Sequence, residues 1–195
     1  MSTWWDDDEP VGLGIVVTDE RGSLPFHLVH GEALAAAAAW ALGEAEVSLL
    51  DLSVPWSSIR EADEPLVLHD SLCPLTPPDF IAACLAEAIR LDQVVVGVRP
   101  VTDTVKQVEA GLIGATVDRE SLTLVCSPVV LPSRVVAAMP DPPASDFTDL
   151  VVALRALGED VVLQEAPSTA RRVGGADDIA VLEALTGADR EQVLG

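Results

Sequence analysis

Residues 66–98 read LVLHDSLCPLTPPDFIAACLAEAIRLDQVVVGV, and the fold class follows from their pattern. The stretch begins with an apolar run, Leu66–His69, that predicts a buried strand and leads into a proline-rich turn. Asp79 is placed to cap a helix that runs to about Arg90, in which apolar side chains recur at helical spacing. The apolar run at 93–98 predicts a second buried strand. Strands that alternate with helices in this way are typical of a parallel sheet with helices on both faces.

The same alternation extends to both sides of this stretch. Further strands are predicted at 14–17, 47–52 and 160–164, further helices at 33–42, 146–157 and 177–185, and a loop or broken short helix at 53–65. Residues 100–127 hold β-prone segments interrupted by glycines, which predicts an inserted β-arm. We therefore expect an α/β fold, a Rossmann-like and mostly parallel sheet flanked by helices, in a single domain over 11–186. Residues 1–10 are expected to form an acidic tail, and residues 187–195 a polar one.

Composition limits the class of protein and its partners. The 195 residues are 49% hydrophobic, so the chain can bury a full core without staples. Eleven basic against 32 acidic residues give a net charge of −21, which argues against nucleic acid or an anionic membrane as a partner. The longest apolar run, 33–42, is half of what a membrane span needs. Three cysteines without a CxxC pair, together with an acidic N-terminus, lead us to expect a reduced, cytoplasmic protein.

The glycines near the first strand do not make a phosphate-binding loop. Such a loop follows a strand and opens a helix, so that its backbone N–H groups face the anion. Here Gly12 and Gly14 lie before or within the strand, and the segment after it, Thr18–Ser23, carries two carboxylates. Residues 1–66 hold two arginines against thirteen acidic residues, a net charge of −11. This front part of the chain is therefore poorly suited to a nucleoside triphosphate.

Asp70 is the strongest candidate for a binding residue. It ends a predicted parallel strand, and ligands of open α/β sheets bind outside those strand ends. A carboxylate there could hold Mg²⁺ beside a substrate phosphate, or it could simply stabilise the turn that follows. The basic side chains of Lys106, Arg119 and Arg172 could converge on an anion, or each could be separately solvated. His27 and His30 fit no familiar zinc spacing and are interpreted as ordinary surface histidines, and Cys73 and Cys126 as packing residues.

Several blocks of sequence, in this order, carry a resemblance to a known family. They are LVLHDSLCP at 66–74, PVTDTVK at 100–106, VDRESL at 117–122, DFTD at 146–149 and DDIAVLEAL at 177–185. Together they resemble the methylerythritol phosphate cytidylyltransferases of the non-mevalonate isoprenoid pathway, over most of 66–186. That resemblance implies a nucleotidyltransferase-type fold and transfer of CMP from CTP to the sugar phosphate, with release of pyrophosphate. It also implies Mg²⁺ as the cofactor of an active enzyme, and a homodimer that exchanges contacts through the arm at about 100–127.

The resemblance also assigns residues. It implies that five positions contact substrate: Asp70, Thr104, Arg119, Ser127 and Arg172. Asp70 would in addition hold the metal, Ser127 stands where the family usually has threonine, and Arg172 stands where it has a lysine. No residue is singled out as catalytic.

The departures from the family pattern determine the functional expectation. Arg21 could stand in for the arginine of the family's glycine-rich loop, but Phe26 replaces a lysine and Cys73 replaces an arginine. Residues 53–65 are too short for the segment that helps to hold the cytosine. We therefore expect weak or lost cytidylyltransferase activity, a pseudoenzyme that keeps a pocket for a small phosphorylated ligand. The alternatives are an active enzyme that uses extra Mg²⁺ or a partner's residues, and a non-catalytic dimeric interaction module, a homodimer or a heterodimer with a complete paralogue.

Overall fold

Six strands form the central sheet of the computed structural model, which describes residues 12–102, 105–109, 112–119 and 122–193. In chain order the strands are β1 (Gly12–Val17), β2 (Leu28–Val29), β3 (Glu32–Ala33), β4 (Val47–Leu49), β5 (Leu66–Asp70), β6 (Val94–Pro100), β7 (Val105–Glu109), β8 (Leu112–Val117), β9 (Thr123–Leu131) and β10 (Val161–Glu165). The helices are α1 (Leu34–Glu44), α2 (Trp56–Glu61), α3 (Pro78–Leu91), α4 (Ser133–Ala138), α5 (Phe147–Ala156) and α6 (Ala176–Val193), and short 3-10 helices lie at Leu24–Phe26 and Ser168–Ala170. The expected acidic tail at 1–10 lies outside the described residues.

The central sheet has the order β10-β6-β9-β5-β1-β4. All its neighbouring pairs are parallel except those made by β9, which runs antiparallel to both β5 and β6. The expectation of a mostly parallel, Rossmann-like sheet is therefore confirmed. Because β9 continues to Leu131, the segment predicted to end as an arm at 127 enters the centre of the sheet. The hairpin β7–β8 forms a separate two-stranded sheet within the predicted arm.

The strands β5, β6 and β9 are buried on both faces, which explains their continuous apolar sequences. Leu66 and Leu68 pack on the side of α5, against Leu150 and Leu154. Val67, between them, points to the opposite face and joins the cluster that contains α1 and α3 residues. Burying each such side chain contributes about 1.5–3 kcal/mol. The two layers of helices hold β5 rigidly, and its carboxyl end carries Asp70.

The first turn of α3 differs from its prediction. The N-cap of α3 is Pro77, and Asp79 lies in the first turn without capping it. Pro78 at the first helical position has its φ already fixed for a helix, while Asp79 still complements the helix dipole.

The last helix is longer than predicted: α6 runs to Val193, past the predicted end at 185 and into the segment expected to be a tail. The hydroxyl of Thr186 donates to the Leu182 carbonyl and is hydrogen-bonded to His30 Nε2, so this polar residue is satisfied within the helix. In the described part of the chain, no helix combines the length and the apolar character that a membrane crossing requires.

Candidate functional site

Asp70 lies at the carboxyl end of β5 and is paired with two arginines. Arg21 Nε donates to Asp70 Oδ1 at 3.1 Å, and Arg172 Nε donates to Asp70 Oδ2 at 3.0 Å. The side chains of Asp70 and Arg21 are only 4% and 5% exposed, whereas that of Arg172 is 44% exposed. The arginines come from positions 49 and 102 residues away in the sequence, and the fold brings them to one carboxylate.

The guanidinium of Arg21 is bound by the protein at all three of its nitrogens. Besides the bond to Asp70, Nη1 donates to the Asp19 carbonyl at 3.2 Å and Nη2 to the Ser145 carbonyl at 2.6 Å. The hydroxyl of Ser145 in turn donates to Glu20 Oε2 at 2.8 Å. The side chain of Arg21 is therefore buried beneath the loop after β1 that carries it, and its positive charge faces Asp70.

The loop after β1 also lacks the geometry of a phosphate cradle. It leads into the three-residue 3-10 helix at Leu24–Phe26 and then into β2, so the residues that directly follow β1 do not open an α-helix. Phe26, at the position of the family's lysine, is 71% exposed. These features agree with the sequence-based interpretation of Thr18–Ser23.

Ser127 is hydrogen-bonded to both Asp70 and His69. The buried hydroxyl of Ser127 accepts the Asp70 backbone N–H at 3.0 Å and is hydrogen-bonded to His69 Nδ1. Gly97 on β6 makes room for this arrangement, because a Cβ there would lie 2.6 Å from the Ser127 carbonyl oxygen. Nε2 of His69 is buried and has no hydrogen-bond partner among the described residues. Ser127 therefore positions Asp70.

Burial lowers the pKa of His69 to about 4 from its ordinary 6.5, although the negative charge of Asp70 opposes this shift. The unfolded chain therefore takes up a proton between pH 6.5 and 4 that the folded chain does not. We expect the free energy of unfolding to have its full value above pH 6.5. It should decrease by about 3 kcal/mol as the pH falls from 6.5 to 4.

Urea unfolding at several pH values measures this change. His69→Gln should remove the component of the slope that lies between pH 6.5 and 4, whereas the exposed His27→Gln should keep it. Equal slopes for the wild type and His69→Gln would contradict the assignment.

The three cysteines are free and buried, as expected of packing residues. The sequence resemblance implies that Cys73 replaces a family arginine, and burial raises the pKa of its thiol well above the ordinary value. Cys73 is fully buried, so this position offers no cation to a ligand in this chain.

The predicted site residues fall into three groups. Asp70, Ser127 and Arg172 come together at the end of β5. Arg119 lies elsewhere: its Nη1 donates to the Thr102 carbonyl at 2.9 Å, and its side chain lines a separate cavity. Thr104 lies outside the described residues.

Lys106, Arg119 and Arg172, which could have converged on an anion or been separately solvated, lie at three different places in the described part of the chain. The ammonium of Lys106 is hydrogen-bonded to Thr116 within the β7–β8 hairpin. His30 makes structural contacts to α6 through Glu183 and Thr186, as a surface histidine would.

The residues around Asp70 do not fit a resident Mg²⁺ ion. Both of its carboxylate oxygens accept hydrogen bonds from guanidinium groups, and Oδ1 also accepts the Leu72 N–H at 2.9 Å. Within the described ranges, no group of three His, Cys, Asp or Glu side chains is arranged to hold a metal. Oδ2 keeps one further acceptor position, but the two guanidinium charges beside this carboxylate disfavour a divalent cation there.

A cavity of about 200 Å³ lies beside the ends of β1 and β4. Its walls are mostly aliphatic and aromatic, including Ile15, Leu50 and Trp56, and the acidic side chains at its margin are Asp19 and Asp51. The segment expected to be too short to hold a cytosine, 53–65, forms the six-residue helix α2 here. The cavity offers a phosphorylated ligand carboxylates in place of cations.

Comparison with known proteins identifies relatives. The family model of 2-C-methyl-D-erythritol 4-phosphate cytidylyltransferase matches residues 54–187. Curated proteins of that name from Corynebacterium diphtheriae and Corynebacterium glutamicum (strain R) are 28% and 32% identical over 84% and 88% of this chain. This chain covers 64% and 66% of their lengths, slightly less than two thirds. The crystal structure of the Thermus thermophilus protein of that name is 25% identical, with a TM-score of 0.68, over 90% of this chain and 98% of that one.

Proposed function

The chain belongs to the 2-C-methyl-D-erythritol 4-phosphate cytidylyltransferase family, and we propose that it binds a sugar phosphate but transfers CMP from CTP weakly or not at all. In that transfer, a phosphate oxygen of the sugar phosphate bonds to the α-phosphorus of CTP. The bond from this phosphorus to the bridging oxygen of the β-phosphate breaks, and pyrophosphate leaves. Negative charge accumulates along the triphosphate, so the reaction depends on cations and N–H donors fixed around it.

The buried state of Arg21 carries the proposal. This arginine is the candidate for the family's loop arginine, yet all three of its nitrogens donate to Asp70, Asp19 and Ser145. To reach a triphosphate it would have to leave the buried carboxylate of Asp70, which would then keep only the half-exposed Arg172 as a cationic partner, and breaking a buried ion pair is costly. The charge of Arg21 therefore stabilises the folded protein and is not available to a triphosphate.

The other two family cations are also missing from this site. Phe26 and Cys73 stand at their positions, one exposed and apolar, the other fully buried. The family match itself begins at residue 54, after the loop that follows β1. Losing one preorganised donor typically costs ~10²–10³ in rate, so several losses together support a large deficit.

The residues expected to contact a phosphate monoester are better preserved than those expected to contact a triphosphate. Arg172 is paired with Asp70 through Nε only and is 44% exposed, and Arg119 is exposed beside its own cavity. A monoester carries at most two charges, so fewer cations suffice than for a triphosphate. Homodimerisation through 100–127 stays a prediction that the resemblance supports.

Thermal-shift titration separates the candidate functions. We expect 2-C-methyl-D-erythritol 4-phosphate, at ~100 times its dissociation constant, to stabilise the protein by ~2.7 kcal/mol. CTP with Mg²⁺ at the same concentration should produce no shift. A shift with CTP comparable to that with the sugar phosphate would favour the active enzyme, and no shift with either would favour the interaction module.

A further inference from the structure

The cavity beside the ends of β1 and β4, called the β1–β4 cavity below, has walls suited to an apolar body. It holds about 200 Å³, and an apolar cavity of ~150 Å³ is large enough for one benzene ring. Ile15, Leu50 and Leu68 supply an aliphatic wall, and Trp56 supplies an aromatic one. The indole N–H of Trp56 donates to the Met139 carbonyl at 3.1 Å, so its one polar group is satisfied and the ring is held in place. The cavity can therefore take one small ring or a short branched alkyl group.

The polar side chains at the margin of the β1–β4 cavity can accept hydrogen bonds. Asp19, Asp51 and Thr18 all belong to its lining. Asp51 Oδ1 accepts the Ser53 N–H at 2.7 Å, and hydrogen bonds from the hydroxyl and the N–H of Ser53 lower the pKa of this carboxyl below its ordinary value. Within the described ranges, neither Asp19 nor Asp51 forms an ion pair with a basic side chain. Two carboxylates are therefore available to a ligand here.

Basic side chains do not contribute to the wall of this cavity. Of the residues that the structure describes, those that line it include no lysine, arginine or histidine. Arg21 is close in sequence to Asp19, but its nitrogens donate to the carboxylate of Asp70 and to two backbone carbonyls. Arg60, on α2, donates to the Ala137 carbonyl through Nε and Nη2. An anionic ligand would therefore meet charges of its own sign, whereas a cation would meet opposite ones.

We propose that the β1–β4 cavity binds a small organic ammonium ion, with its ring or alkyl body against Trp56 and its ammonium group near the carboxylates of Asp19 and Asp51. An ammonium group carries three donors and no acceptor, which matches a margin of oxygen acceptors. The face of an indole ring attracts the same cation. Because both carboxylates are exposed, the apolar body is buried while the charge stays at the margin, and no charge is buried without a partner. Neither Asp70 nor Arg172 lines this cavity, so the inference does not depend on binding of a sugar phosphate.

Three probes that share a phenyl ring and differ in charge test this assignment: benzylammonium, benzyl alcohol and benzoate. Each is titrated into the full chain at neutral pH and followed by protein NMR, which reports both the dissociation constant and the residues that the probe perturbs. Benzylammonium should bind about 10-fold more tightly than benzyl alcohol, since one exposed ion pair contributes up to about 5-fold and two act together. Benzoate should show no saturable binding. The perturbed signals should include Leu50 and the indole N–H of Trp56.

Two double variants separate recognition of the ammonium group from burial of the ring. Asp19→Asn/Asp51→Asn should bind benzylammonium and benzyl alcohol equally well, with its affinity for the alcohol unchanged from that of the wild type. Glu44→Gln/Asp79→Asn is the matched control, because it removes two exposed negative charges on α1 and α3, outside the cavity. The control should keep the full preference for benzylammonium.

A preference for benzylammonium that only the Asp19/Asp51 variant loses supports the inference. It is wrong if benzyl alcohol or benzoate binds as tightly as benzylammonium, if no probe binds saturably, or if the perturbed residues lie outside the cavity. Loss of the preference in the control variant would equally overturn it, since the charge effect would then be a general one. These outcomes leave the proposed function as it stands. If CTP with Mg²⁺ perturbs the same residues, the cavity is a nucleotide site, and that result counts against both.

Discussion

Asp70→Asn is expected to lower the free energy of unfolding by about 3–5 kcal/mol, because removing one member of a buried ion pair leaves the other charge buried and uncompensated. Asparagine has the size of aspartate, so the change removes charge without opening a cavity. The guanidinium of Arg21, with a side chain only 5% exposed, then lacks its anionic partner. Urea unfolding monitored by tryptophan fluorescence measures the loss.

A double-mutant cycle with Arg21 shows whether the loss of stability comes from the uncompensated charge or from a general disruption of the structure. Arg21→Met removes the charge that Asp70→Asn leaves uncompensated, so the double variant should be more stable than the sum of the single losses predicts. Glu87→Gln is the matched control, since it breaks an exposed pair with Arg90 and should leave stability within experimental error. A loss below about 1 kcal/mol for Asp70→Asn would mean that the Asp70–Arg21 pair is open to water.

Turnover of CTP should lie more than ~10³-fold below that of the Corynebacterium glutamicum relative under the same conditions. The deficit follows from the positions of the charges. Arg21 is buried and paired with Asp70. The sequence resemblance further implies that Cys73, which is buried, replaces an arginine and that Phe26 replaces a lysine. The side chains near the ends of β1 and β4, Asp19 and Asp51, add negative charge beside the place a triphosphate would need.

Substrate concentration distinguishes the cause of that deficit. The missing cations could have stabilised both bound CTP and the transition state. In that case CTP should fail to saturate the protein at any accessible concentration, and kcat/KM should decrease by the whole of the deficit. If a partner supplies the missing cations, the rate should instead rise with protein concentration faster than linearly. That second pattern would favour the active alternative.

The sequence predicts the centre of the sheet well because burial on both faces leaves a clear pattern. The runs in 66–98 are continuous and apolar, and their strands lie where expected. It does not predict that β9 joins the same sheet antiparallel, because an apolar run carries no sign of direction. In the extension of α6, Thr186 is hydrogen-bonded to His30, a residue from a distant segment, and no local pattern contains this contact.

The candidate site is predicted only in part, for a similar reason. Asp70 stands at a strand end, which topology alone makes a binding position. Its two arginines come from distant segments, and nothing in the spacing indicates that Arg21 points inward. His69 has no sequence signal, since its role depends on a hydroxyl 58 residues away.

We propose that Arg21, the arginine that follows β1, stabilises the fold and does not bind a nucleotide, and an assay of pyrophosphate release tests this proposal. The reaction contains CTP, Mg²⁺ and 2-C-methyl-D-erythritol 4-phosphate, with the Corynebacterium glutamicum relative as the positive control. We predict a rate within a few-fold of the reaction without protein. Release at a rate comparable to that of the relative, dependent on both substrates, would show that Arg21 and its loop still serve CTP.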